Sequence, residues 1–219
     1  EKTGTINCNF KSQGIDYTHG YIGDMVVTKD GKKMFVTDQI GFRIVEIDLV
    51  SEKIVRNIPT GRYPFGLALT PDESKLMVAN VGMFEYKKFT DLDPADLKNT
   101  AHTFPASKYG SKRMIKGSKK EGIPPLGDPN SPEGFSVWIY DLKNNTGTSP
   151  VAKVKTGFPV GTVIDDFPAV GGASPNSIVA TDKYIFVSNG NNDCISVIDI
   201  VSHSLLKNIP LQPDRRLKN

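Results

Sequence analysis

The chain has 219 residues, 38% of them apolar, enough to bury the core of one large domain or two small ones. Its 27 basic and 24 acidic side chains leave a formal charge of +3, spread along the sequence and far below what a nucleic-acid-binding surface carries. No apolar run reaches the length needed to span a bilayer as a helix, so no transmembrane segment is expected.

Residues 1–19 are polar, with apolar alternation only around 6–10, and predict one short strand as a lead-in. The chain begins at Glu1 without an initiator Met or a signal peptide, so its ends neither show nor exclude export. Cys8 and Cys194 leave open one bridge or two free thiols, and by themselves they cannot complete a tetrahedral zinc site.

From Tyr21 a unit of four short strands begins, predicted at 24–28, 34–38, 43–48 and 54–58. Asp30-Gly31 between the first two predicts a type I′ turn, which needs positive φ at both central residues. The same text returns at 67–70, 76–80, 137–141 and 151–155, and again at 178–181, 185–189, 195–199 and 205–209. A repeat of about forty residues with four strands in each unit is the mark of a propeller blade.

The expected fold class is therefore all-β, a β-propeller of four-stranded antiparallel blades with about three blades present. They span 20–61, 62–157 and 158–212, with 213–219 leading toward further sequence. One blade cannot bury its own faces and rings hold about four to eight of them. Missing blades or a partner chain are thus expected to complete the ring.

The second unit carries a long insertion at 81–134 between its second and third strands. It opens with Phe84, Tyr86 and Phe89, and Asp93-Pro94 predicts a short helix start. Lys108 to Lys120 is basic with no acid among its residues; it reads as a solvated loop, with an anionic partner or lipid headgroup as the alternative. The joint from Gly157 to Pro175 is also several times longer than that from Gly61 to Pro64. Long loops in compact domains are where function concentrates.

Leu76-Met77-Val78-Ala79-Asn80 and Ile185-Phe186-Val187-Ser188-Asn189 resemble the Tyr-Val-Thr-Asn repeat of the YVTN-type β-propeller family, over roughly Gly20 to Gln212. A narrower set resembles exported bacterial proteins in which such a propeller precedes an alkaline-phosphatase-like phosphoesterase domain. It comprises Gly61-Arg62-Tyr63-Pro64-Phe65-Gly66, Asn80-Val81-Gly82-Met83-Phe84-Glu85-Tyr86, Gly127-Asp128-Pro129-Asn130, Phe135-Ser136-Val137-Trp138 and Gly171-Gly172-Ala173-Ser174-Pro175-Asn176-Ser177. The resemblance implies further blades, a periplasmic or cell-surface location, and metal-binding and nucleophilic residues in a downstream domain. None of those residues is carried onto this chain.

The chemistry-bearing residues are sparse. His19, His102 and His203 have no metal-ligand spacing, and Ser136, Ser174 and Ser177 lack a nucleophile setting. Gly171-Gly172 reads as a turn rather than a phosphate loop. No cofactor is predicted; Ca²⁺ at the adjacent carboxylates Asp165 and Asp166 is the one metal candidate. Asp38, Asn80 and Asn189 share one repeat position and are expected to bond backbone at a strand end. Trp138 is expected between blades.

In a propeller the joint between blades opens onto the channel mouth, which makes Asp24, Arg62, Tyr63, Asn176 and Ser177 the candidates for binding a ligand or partner. Three readings follow: a non-catalytic binding and scaffold module, with phosphoesterase activity in a downstream domain by resemblance; a propeller hydrolase or metal-dependent enzyme with its site at the mouth; and a subunit that closes its ring with another chain.

Overall fold

The computed structural model describes residues 4–12, 15–17, 20–82, 95–96, 111–114, 120–123, 130–143, 148–164, 166–169 and 171–211. Near the N-terminus, β1 (Phe10–Ser12) pairs with β2 (Ile15–Tyr17). Blade 1 is the antiparallel meander β3 (Ile22–Val27), β4 (Lys33–Asp38), β5 (Arg43–Asp48) and β6 (Lys53–Pro59). Blade 2 begins with β7 (Pro64–Leu69) and β8 (Lys75–Asn80). Its insertion contains the hairpin β9 (Ser111–Met114) and β10 (Lys120–Ile123). The blade resumes with β11 (Ser136–Asp141), paired directly to β8, and ends with β12 (Ala152–Lys155). A small hairpin, β13 (Val163–Ile164) with β14 (Phe167–Pro168), occupies the long joint. Blade 3 is β15 (Pro175–Ala180), β16 (Tyr184–Asn189), β17 (Cys194–Asp199) and β18 (Leu205–Pro210). Among the described residues there is no helix long and apolar enough to cross a membrane.

Three sequence expectations need revision or lie outside the described residues. Gly31 has positive φ but Asp30 does not, so the first turn is not type I′. Instead the Asp30 carboxylate accepts from Thr28 Oγ1 and the Lys32 N–H, which closes a longer loop. The helix start predicted at Asp93-Pro94 lies outside the described residues. Part of the basic run is strand rather than loop: Arg113 stands opposite Glu121 in the β9–β10 register. That hairpin has no apolar alternation to announce it.

The turn carboxylates make the far rim sensitive to acid. Hydrogen bonds from Thr70 and Ser74 hold the Asp72 carboxyl well below its ordinary range; Thr28 does the same for Asp30, and the backbones of Ser51 and Ser202 for Asp48 and Asp199. A carboxyl with a lowered folded pKa binds fewer protons folded than unfolded. Its stabilisation is complete above the unfolded value of about 4 and is lost as pH falls through the folded one. Asp72→Asn is expected to lower the thermal midpoint at neutral pH and to flatten its fall below pH 4; equal slopes in mutant and wild type would overturn this.

The three first strands lie side by side, β7 between β3 and β15, as the inner strands of adjacent propeller blades do. Each carries a bulge at the same repeat position, between Ile22 and Met25, Pro64 and Leu67, and Pro175 and Ser177. Strand alternation sends each blade's two faces to two neighbours. Phe35 and Ile44 of blade 1 pack against Leu67, Leu76, Val78, Trp138 and Tyr140 of blade 2. Met77, Ala79, Val137 and Ile139 on the opposite face of blade 2 pack against Ile178, Ile185, Val187 and Ile198 of blade 3. Trp138 is thus inter-blade core, as expected.

The outer flanks differ. On blade 1, Val36, Val45 and Ile47 are covered in part by Ile6 and Cys8 of the N-terminal segment, leaving a groove of about 440 Å³. On blade 3, Val179 and Ile209 face outward and exposed. Cys8 of the N-terminal segment and Cys194 of blade 3 are free thiols, each with its pKa raised by burial.

Candidate functional site

The position shared by Asp38, Asn80 and Asn189 ends the second strand of every blade, and in each case the side chain bonds locally, although Asn80 Oδ1 and Asn189 Oδ1 are buried without a partner among the described residues. Asn80 donates to the Ser136 carbonyl, and Asn189 to the carbonyls of Val187 and Cys194 and to Ser196 Oγ. Asp38 accepts from the Tyr21 and Gly41 N–H groups and pairs with Arg43 Nε at 2.8 Å, both side chains fully buried. Arg43 also donates to Asn57 Oδ1 and to the Cys8 carbonyl. These residues serve the fold, as a polar side chain at a strand end commonly does.

The mouth candidates all stand at the starts of first strands. Asp24, at the β3 bulge, accepts the Leu67 N–H through Oδ2 at 2.9 Å, a bond from blade 1 to blade 2. Thr37 Oγ1, which accepts the Asp24 N–H, reaches the Phe65 carbonyl across the same seam. Asn176 Oδ1 accepts from Ser188 Oγ, and a Cβ on Gly66 would lie 2.5 Å from the Asn176 carbonyl, so the backbones of β7 and β15 touch there. Ser177 is exposed beside it. Tyr63 holds φ of 57°, and its carbonyl accepts the Val81 N–H.

Arg62 differs from these. Its backbone is clamped by the insertion's two ends: its N–H donates to the Glu133 carbonyl and its carbonyl accepts from Gly82. Gly82 is required for that approach, since a Cβ would lie 2.7 Å from Arg62 Cβ. The guanidinium lies over the Phe42 ring of blade 1 at 5.6 Å, and its Nε is buried with no hydrogen-bond partner.

Phe42 was invisible as a site residue in the sequence. It holds φ of 50°, and Phe135 and Asp193, its equivalents before the third strands of blades 2 and 3, are also positive. Recurrence in all three blades marks this conformation as a property of the blade turn. Phe135 likewise has a cation over its ring, Lys155 at 5.6 Å, but that ammonium is spent on the Ser131 and Gly134 carbonyls. The Phe135 ring also packs on Gly172, whose φ of 65° lies in the left-handed region that a glycine adopts without strain.

Of the metal candidates, Asp166 is exposed with φ of 72° in the β13–β14 turn, and Asp165 lies outside the described residues. Among the described residues no three His, Cys, Asp or Glu side chains cluster as metal ligands would. His203 sits on the far rim with its pKa lowered by burial and by Lys75, while His19 and His102 lie outside the described residues.

No family model matches the chain, and no curated protein is similar to it in sequence. Among solved structures the chain is similar to the dihydro-heme d1 dehydrogenase NirN in complex with DHE. Identity is 11% over 90% of this chain and 29% of that one, with a TM-score of 0.46. It is also similar to a proposed 6-phosphogluconolactonase from Bacteroides fragilis NCTC 9343, at 13% identity over 87% of this chain and 38% of that one, with a TM-score of 0.43. The chain spans about a third of the length of these two structures. The propeller assignment rests on the three repeated four-stranded sheets and on how they pack.

Proposed function

We propose that this chain is a non-catalytic binding and scaffold module, a run of propeller blades whose ring is continued by a further four-stranded blade seated on the outer flank of blade 3. The observation that supports this is the fate of one repeated face. Phe35 and Ile44 are buried under blade 2, and Met77, Val137 and Ile139 under blade 3. Of their equivalents on blade 3, Phe186 and Ile195 are only partly buried while Val197 is buried, and Val179 beside them is 62% exposed. Burial of such a face contributes roughly 25 cal/mol per Å² of apolar area, and a blade supplies it only through its neighbour.

The resemblance in sequence supports a wider form of the reading, in which the ring belongs to an exported bacterial protein and stands beside a phosphoesterase domain. The next blade comes from the same polypeptide or from another chain, and in either case the flank of this chain purified alone is left open to pair with a second copy. Size-exclusion chromatography with light scattering on the purified chain tests the flank. The expected result is a particle larger than one chain, brought down to one chain by Val179→Lys with Ile209→Lys at an unchanged thermal midpoint. A single-chain particle at every concentration, indifferent to those substitutions, would overturn the proposal.

A further inference from the structure

We propose that Arg62 anchors an oxyanion site at the mouth, taking a carboxylate or phosphate group of the module's ligand. It rests on the mouth being the binding face, and it is independent of the blade 3 flank.

Two observations carry it. The first is an unspent charge. Arg62 is half-buried, forms no ion pair and no side-chain hydrogen bond among the described residues, and its buried Nε has no partner there. A buried donor left unmade is costly. The other ionic groups described around the mouth are already engaged. Asp24 accepts the Leu67 N–H, Asp38 is held by Arg43, Glu133 pairs with Lys153, and Lys155 donates to two carbonyls.

The second observation is preorganisation. The Arg62 backbone is fixed on both sides by the insertion ends, and the guanidinium carbon lies over the Phe42 ring at 5.6 Å, a ring that the blade turn holds in place. A planar guanidinium fixed in this way offers parallel N–H donors that match the two oxygens of a carboxylate or phosphate. Lys155, over the equivalent ring, has no such capacity because its ammonium bonds the chain's own carbonyls.

The test follows the thermal midpoint of the full chain in sodium phosphate and, separately, sodium succinate, against sodium chloride at matched ionic strength. A ligand that binds the folded state raises the midpoint with its concentration. Wild type is expected to respond to one or both anions at millimolar concentrations, and the two arms distinguish phosphate from carboxylate. Arg62→Met, whose straight stem can still cover Phe42, is expected to need at least about tenfold more anion for the same shift. Arg62→Lys should fall between them. If the methionine variant does not fold, Arg62→Gln carries the comparison. A neutral variant that follows the wild-type curve, or a wild type that neither anion moves, would overturn the site. A wild type that neither anion moves, with the flank variant still dissociating the particle, would sink this proposal alone.

Discussion

Arg43→Met is expected to destabilise the chain by about 3–5 kcal/mol, because removing one partner of a buried pair strands the other. The stranded group is the Asp38 carboxylate, which has 0% exposure. It keeps the Tyr21 and Gly41 N–H donors but loses its cation, and the Asn57 and Cys8 oxygens lose theirs. The other blades show what the position tolerates without charge. Opposite Asn80 stands Ser136, and opposite Asn189 stands Cys194, in the register that places Arg43 opposite Asp38. Asp38→Asn combined with Arg43→Ser gives blade 1 the chemistry of blade 2 and should recover at least half of the loss. Urea denaturation of Asp38→Asn, Arg43→Ser and the double measures the coupling directly, with Arg43→Met beside them. A double mutant as unstable as the sum of the singles would show that the pair is not the unit that matters.

Phe35→Ala and Phe186→Ala occupy one repeat position and should differ widely. Phe35, 1% exposed, fills the seam between blades 1 and 2, so its loss is expected to cost about 3–5 kcal/mol as a cavity that the two sheets cannot close. Phe186 looks out from blade 3 with the edge-on ring of Tyr184 beside it, and its truncation should cost about 1 kcal/mol, an ordinary surface-proximal loss. Unfolding free energies from denaturant melts decide between them. In a preparation where a further blade covers the flank, the Phe186 cost should climb toward that of Phe35. Equal costs in the isolated chain would mean that the blade 3 face is not open.

The blades were legible because each strand alternates and each copy repeats the same landmarks. Asp38, Asn80 and Asn189 could be recognised as one position and read as fold residues before any contact was known. The mouth was legible as a place and less so in its parts. Asp24 bonds Leu67 because a bulge turns the first strand there, and bulges leave no periodic signal. Phe42 lies under Arg62 because an aromatic residue adopts positive φ, which composition does not foretell. The N-terminal segment covers blade 1 through Ile6 and Cys8, two residues in a stretch whose polarity gave no hint of a docking face. The β9–β10 hairpin escaped notice because charge, rather than apolar alternation, fills it.

The direct pairing of Asn80 with Ser136 has a consequence for how the insertion can change. The two ends of the excursion are neighbours in the sheet, so to the blade it is only a closed loop. The entropy of closing a flexible loop grows slowly, by roughly 0.6 kcal/mol for each doubling of length. The sheet is therefore nearly indifferent to how much chain is threaded through that point, provided Gly82 and the residues around Glu133 still meet at Arg62. Blade 2 works as a socket: its contents can be exchanged, lengthened or specialised while the strands that hold them keep one register.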